Sequence, residues 1–231
     1  VTHTSDPEAL PSTLVRVQRV VIDACPEPVS FNVAAGAAVV VVETRARAGS
    51  VILRLLGRIS PPRAGRIEVL GHDAAQLTDV QRAALRRRLG VIPRDLALES
   101  GLSAFDNLAL AAIAAGSSPR DYKAPAEALL AWVGMGRLKD EPAEALDEAG
   151  RRRLALARAL INRPDLLIAD EPAGDLTGDA RRGVLKLVAE LHAAGTAVLM
   201  TSRDEALAEQ SGALVVRLEH AEGDASLAGA A

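Results

Sequence analysis

The run 165-DLLIAD-170, followed by Glu171 and Pro172, sets two carboxylates side by side at the end of an apolar strand. One such acid can hold a divalent metal while its neighbour polarises a water molecule. Ligands of open α/β sheets sit beyond the carboxyl ends of the strands, so the place suits that chemistry. Asp-Glu-Pro also has a purely structural use, because Pro172 stops a strand and forces a turn. A second stretch raises related chemistry. In 38-AVVVVETRARAGSVILRLLG-57 a buried strand, an eight-residue loop and a helix follow one another, the frame of a phosphate-binding loop. A working loop of this kind uses glycines for tight curvature, converging backbone N–H groups and a lysine to neutralise phosphate. Here the loop Glu43, Thr44, Arg45, Ala46, Arg47, Ala48, Gly49, Ser50 holds one glycine and no lysine.

The elements that must position these residues alternate. Strand signals cover TLVRVQRVV, VSFNV and AVVVVE within 13–43, and a short helix covers 50–59. A β-rich piece, 65-GRIEVLGHD-73, precedes a basic helix, 79-DVQRAALRRRLG-90, for which Gly90 is the expected C-cap. A short strand at 91–93 is stopped by proline. From about 95 to 160 apolar residues recur at i, i+3, i+4 spacing, which predicts helices. Strands at 165–170, 196–202 and 213–218 are separated by helices at 178–193 and 203–209. This alternation predicts an α/β core with a mostly parallel sheet.

Together these runs resemble the ATP-binding-cassette (ABC) family. The resemblance rests on 30-SFNVAAGAAVVVV-42, 61-PPRAGRIEVLGHD-73, 83-AALRRRLGVIPRD-95, 102-LSAFDNLALAAIAAG-116 and 158-RALINRPDLLIADEPAGDLT-177. It covers nearly the whole chain and is greatest towards the cytoplasmic subunits of cell-division, lipoprotein-release and macrolide-export transporters. It implies a P-loop NTPase-like (ABC ATPase) core over 13–93 and 160–218, with an N-terminal antiparallel β piece. It also implies an inserted helical subdomain over 94–159 and flexible tails at 1–12 and 219–231. The implied cofactors are ATP and Mg²⁺.

Carried over residue by residue, the resemblance shows decay. Glu43 stands where the phosphate loop has its first glycine, Ala48 replaces a later glycine and Gly49 the lysine. Ser50 keeps the serine that touches Mg²⁺, with Val51 closing the stretch. Shifting the register by one residue still loses the lysine. Asp170 is the implied metal ligand and Glu171 the implied catalytic acid. The glutamine that reaches metal and membrane partner becomes Arg94. The signature motif becomes 146-LDEAG-150, so its serine is Asp147, its glycines are Glu148 and Ala149, and Gly150 ends it. The D-loop aspartate becomes Thr177 and the switch histidine Arg203. No aromatic lies near residues 20–28 to stack on adenine, and Phe31 reads as core.

In this family two subunits face head to tail, each ATP lying between one phosphate loop and the other signature. Asp147 and Glu148 would then confront a partner's γ-phosphate and repel it. Arg45, Arg47, Arg94 and Arg203 fall on elements that surround that phosphate in the family. Two adjacent acids in a cleft without cation need partners. The expectation is that Arg94 or Arg203 pairs with Glu171 or Asp170, Arg being suited to bidentate pairing; solvated arginines are the alternative.

Bulk properties exclude some classes. Net charge is −3, which argues against general nucleic-acid binding. Aromatics make up 2%, so Ala, Val, Leu and Ile must build the core. No apolar run reaches membrane-span length, and 1–12 reads as polar without a signal-peptide segment. The single cysteine, Cys25, excludes an internal disulfide and fits a reducing cytoplasm. His192 reads as a helix end. Arg86–Arg88 and Arg151–Arg153 read as solvated helix faces, with docking to an acidic partner as the alternative. Tyr122 and Trp132 fall in the helical insert, Trp132 as core.

Three functional readings follow. One is a degenerate pseudo-ATPase subunit, a scaffold or regulator at the inner face of the cell membrane. It would be paired with a membrane permease subunit and form a homo- or heterodimer with another ATP-binding subunit. The second is an ATP-hydrolysing subunit with atypical motifs. The third is a stand-alone interaction module.

Overall fold

A computed structural model describes residues 12–23, 25, 27–42, 48–204 and 213–218. The segment 43–47, the expected helix over 203–209 beyond residue 204, and both expected tails beyond residue 12 lie outside the described residues.

Two sheets carry the fold. Strands β1 (Thr13–Val20), β2 (Val29–Ala34), β4 (Arg66–Val69) and β5 (His72–Asp73) form an antiparallel sheet of order β2-β1-β4-β5. Strands β3 (Ala38–Val42), β6 (Leu89–Ile92), β7 (Leu166–Ala169), β8 (Ala197–Ser202) and β9 (Leu214–Arg217) form a parallel sheet of order β6-β7-β8-β3-β9. The α/β architecture with its N-terminal antiparallel piece is therefore as expected. β3, β7 and β8 are buried on nearly every residue, as continuous apolar strands covered on both faces must be.

Helices are α1 (Ala48–Arg58), α2 (Asp79–Arg86), α3 (Ala104–Ala114), α4 (Pro119–Trp132), α5 (Glu148–Leu160) and α6 (Gly178–Ala193). Local chemistry fixes their starts. Thr78 and Gln81 form a reciprocal capping box for α2. Ser103 caps α3, and Asp147 caps α5 by accepting from the Gly150 N–H at 2.6 Å. One face of the parallel sheet packs with α1 and the antiparallel sheet; the other packs with α5 and α6. Helix α5 also supplies Leu154 and Ala157 to a separate apolar cluster with α3 and α4, so it is buried on two sides.

The basic helix ends earlier than its sequence predicts. It stops at Arg86, and Gly90 is not its C-cap but a buried residue of β6, paired with Leu167. A Cβ at Gly90 would stand 2.7 Å from the Ala159 carbonyl oxygen of α5. Close helix–strand approach, not a turn, requires glycine there. Phe31 is buried in the core, and His192 lies in the last turn of α6.

Candidate functional site

Sheet register brings the chemistry together. Ala169 pairs with Met200, and Val42 pairs with Ser202, so the ends of β7, β8 and β3 line up. Asp170 then lies beside Thr201, and the α1 start that follows β3 meets both. Asp170 is 8% exposed. One of its oxygens, Oδ1, accepts from Ser50 Oγ at 2.9 Å and from Thr201 Oγ1 at 2.8 Å. Thr201 Oγ1 in turn accepts from the Glu171 N–H at 2.9 Å, which orients its own proton towards Asp170. Thr201 escaped the sequence reading. Its signal is a polar residue closing the apolar run of β8.

Glu171 is 6% exposed and has a backbone φ of +50°, a left-handed conformation costly for a residue with a side chain. Its carboxylate accepts from Arg203 Nε at 3.0 Å, while Arg203 Nη2 reaches Asp175 Oδ1 at 2.9 Å. Arg203 thus joins Glu171 to Asp175. Its hydrogen bond to Glu171 and then the charge of that carboxylate push the Arg203 guanidinium above the ordinary arginine value. The expected pairing of Glu171 with an arginine is present through Arg203. Arg94 does not pair with either acid; it lines a cleft beside them.

A buried arginine supports this turn from below. Arg152 is 9% exposed, which corrects the expectation that Arg151–Arg153 are solvated. Its Nη1 donates to the Glu171 carbonyl at 2.9 Å and to the Pro172 carbonyl at 3.4 Å. Its Nη2 meets Glu148 Oε1 at 2.8 Å, and Arg151 reaches the same carboxylate at 3.5 Å. Gly174, at φ +48°, leaves room for the guanidinium: a Cβ would lie 2.0 Å from Nη2. The signature-position acids Asp147 and Glu148 are exposed but already engaged within the chain. Asp147 is engaged as a helix cap, Glu148 is compensated by two arginines, Ala149 is half-buried, and Gly150 is buried.

Of the degenerate loop, Glu43, Thr44, Arg45, Ala46 and Arg47 lie outside the described residues. Ala48, Gly49 and Ser50 open α1 and are buried, and Val51 is half-buried. Ser50 Oγ and the Asp170 carboxylate form an oxygen pair of the kind that suits Mg²⁺, which takes few protein oxygens beside phosphate and water. Among the described residues no group of three or more His, Cys, Asp or Glu could hold a metal on its own. The metal half of the site therefore fits Mg²⁺. The phosphate half fits less well, because residues 43–51 contain no lysine.

A parallel sheet with a hydroxyl-bearing helix start after β3 and an acid pair beyond β7 defines a P-loop-type nucleotide-binding cassette. The ABC transporter family model matches residues 27–174, and the chain belongs to that family. It is 36% identical over 183 residues to the lipoprotein-releasing system ATP-binding protein LolD of a Shewanella species, covering 78% of this chain and 79% of LolD. Over 156 residues it is 36% identical to the cell division ATP-binding protein FtsE of Escherichia coli, covering 67% of this chain and 70% of FtsE. To the macrolide export ATP-binding/permease protein MacB of Chromobacterium violaceum it is 35% identical over 79% of this chain, but spans only 29% of MacB. In three dimensions it resembles a dimeric ATP-binding cassette solved in a post-hydrolysis state with ADP and Pi. The TM-score is 0.78 at 21% identity, over 89% of this chain and 94% of that one.

Proposed function

We propose that this chain is a pseudo-ATPase member of the ABC family, a scaffold or regulator paired with a membrane permease subunit. The observation that carries this reading is the Arg203–Glu171 pair, 3.0 Å long, on the acid expected to polarise water. A charge-assisted hydrogen bond from Arg203 engages one oxygen of that carboxylate and competes with a water for it. The missing lysine supports the same reading, since the cations of 43–51 are Arg45 and Arg47, which stand at other positions of the loop. Glu148 at the signature position adds a carboxylate where a partner subunit would present phosphate.

Pairing with a second ATP-binding subunit, as homo- or heterodimer, is part of the proposal, as is a position at the inner face of the cell membrane. Among the described residues no helix is long and apolar enough to cross a membrane.

A second reading keeps ATP binding with altered chemistry. It draws on the Ser50–Asp170–Thr201 arrangement, which keeps oxygen ligands suited to Mg²⁺. Calorimetry with Mg·ATP separates the two. Absence of saturable binding, with turnover at background in wild type and in Glu171→Gln alike, is the expected outcome. Micromolar affinity would sink the pseudo-ATPase reading in favour of the second.

A further inference from the structure

The antiparallel sheet turns a polar face away from the core. Buried residues alternate along β1, β2 and β4, which leaves Arg16, Gln18, Ser30, Asn32 and Arg66 on the other side. Register sets Arg16 between Asn32 and Glu68, and Gln18 beside Arg66. A concave cleft of about 870 Å³ opens over this face. Arg16, Arg19 and Arg66 bring three guanidinium groups to it, Gln18 and Asn32 two carboxamides, and Ser30 a hydroxyl. Among the described residues no carboxylate lines it, although the chain carries a net charge of −3. Glu68 and Asp73, which pair with Arg16 and Arg66, stand outside the lining. The Arg19 guanidinium and the Gln18 and Asn32 carboxamides have no partner among the described residues.

Arg19 reaches the cleft through a strained backbone. The β1–β2 register shifts between Val17 and Val20, and Arg19 in this bulge has a φ of +46°. A left-handed residue with a side chain costs about 1 kcal/mol or more, and glycine or asparagine fills such a place at less cost. The surroundings clamp the bulge all the same. Ser30 Oγ accepts from the Arg19 N–H at 2.8 Å, and the Val21 N–H donates to the Ala64 carbonyl at 3.2 Å. Gly65 closes on the same residue, since a Cβ there would lie 2.3 Å from the Arg19 carbonyl oxygen. Bulges re-aim side chains, and the one re-aimed here brings a free guanidinium to the cleft.

We propose that this cleft binds a phosphorylated sugar, its phosphate on Arg19 and Arg16 and its hydroxyls on Gln18, Ser30 and Asn32. A guanidinium fork suits phosphate oxygens. Carboxamides and a hydroxyl both donate and accept, as sugar hydroxyls require. The cleft volume is in the range of small-molecule sites. A nucleobase finds no stacking surface there, because the ring of Phe31, the aromatic residue at the cleft, belongs to the core. The cleft shares no lining residue with the one beside Asp170, so this site goes beyond the pseudo-ATPase reading and does not rest on it.

The test uses the full chain, with glucose 6-phosphate, ribose 5-phosphate, the two free sugars and inorganic phosphate as probes. Binding is read by isothermal titration and by amide NMR shifts. At least one sugar phosphate is expected to bind with a Kd below about 1 mM and to shift the Arg19, Ser30 and Asn32 amide signals. Its affinity should fall at least about tenfold in Arg19→Gly. Glycine suits the left-handed φ, so that variant should stay folded by thermal denaturation, and the loss then reads the guanidinium rather than the fold. Asn32→Ala should weaken the sugar phosphate and leave inorganic phosphate unchanged, and Arg120→Ser on α4 should change neither. Three results would overturn the proposal. One is no saturable binding of either sugar phosphate in that range. Another is an affinity indifferent to Arg19. The third is inorganic phosphate binding as tightly as the sugar phosphates, which marks a simple anion site. Mg·ATP calorimetry on the unmodified chain tests the pseudo-ATPase reading separately, because it does not depend on these residues.

Discussion

Replacing Arg152 with Met retains the buried stem and removes the guanidinium beneath the 171–175 turn. The magnitude follows from its contacts. The 2.9 Å bond to the Glu171 carbonyl is a charged hydrogen bond in a buried setting, worth about 1.5–3 kcal/mol. The 3.4 Å bond to Pro172 is long and adds less. Glu148 is 47% exposed, so solvent screens its pair with Arg152 to about 0–1 kcal/mol. Leaving the buried carbonyl of Glu171 less satisfied costs about 1 kcal/mol more. The sum is about 2.5–5 kcal/mol, equivalent to a Tm decrease of roughly 5–20 °C for a chain of this size. Chemical and thermal denaturation of Arg152→Met measure it. Gly174→Ala gives an internal check. Its Cβ would collide with a guanidinium pinned by three acceptors, at a φ that already disfavours a side chain. In the Arg152→Met background that collision is relieved, so the two losses should fall short of additive by about 1 kcal/mol or more. A loss below about 1 kcal/mol for Arg152→Met, or strict additivity with Gly174→Ala, would refute the buried-latch argument.

Three further outcomes are expected. Gly90→Ala should destabilise by about 1–3 kcal/mol, read by urea denaturation, because its Cβ meets the Ala159 backbone carbonyl. Ser50→Ala removes one of two hydroxyl donors to buried Asp170 and should cost about 1–3 kcal/mol. Arg203 is raised above the ordinary arginine value by Glu171, so its charge contributes fully below the unfolded value and is lost only as pH rises through the folded one. Between about pH 6 and 9 the stability difference between wild type and Arg203→Ala should therefore be flat, and a step in that window would contradict the assigned pair.

Much of the frame was legible because periodicity and strand-end chemistry are local. The α6 span 178–193 and the acid pair beyond β7 follow from pattern alone. The pairing of an arginine with Glu171 was legible only with the family resemblance, which sets Arg203 near the acids, and with the demand of adjacent acids for a counter-charge. Arg152 was misread because three consecutive arginines suggest a solvated face. The flanking LALARAL run, apolar except for Arg158, already signalled a helix with little solvent side. Gly90 was misread for a different reason. Local rules make glycine a helix stop, whereas its use here is set by the distance between α5 and β6, which no short window encodes. Arg94 reads by alignment as a site residue, and it lines a cleft that Ser50 and Asp170 line as well.

The central claim is that Arg203 occupies the carboxylate that would otherwise serve ATP hydrolysis, in a site deprived of its lysine. Isothermal titration of the wild-type chain with Mg·ATP tests it most directly. The expected result is no saturable heat up to millimolar nucleotide, corresponding to binding weaker than about −4 kcal/mol. A Kd in the micromolar range would contradict it.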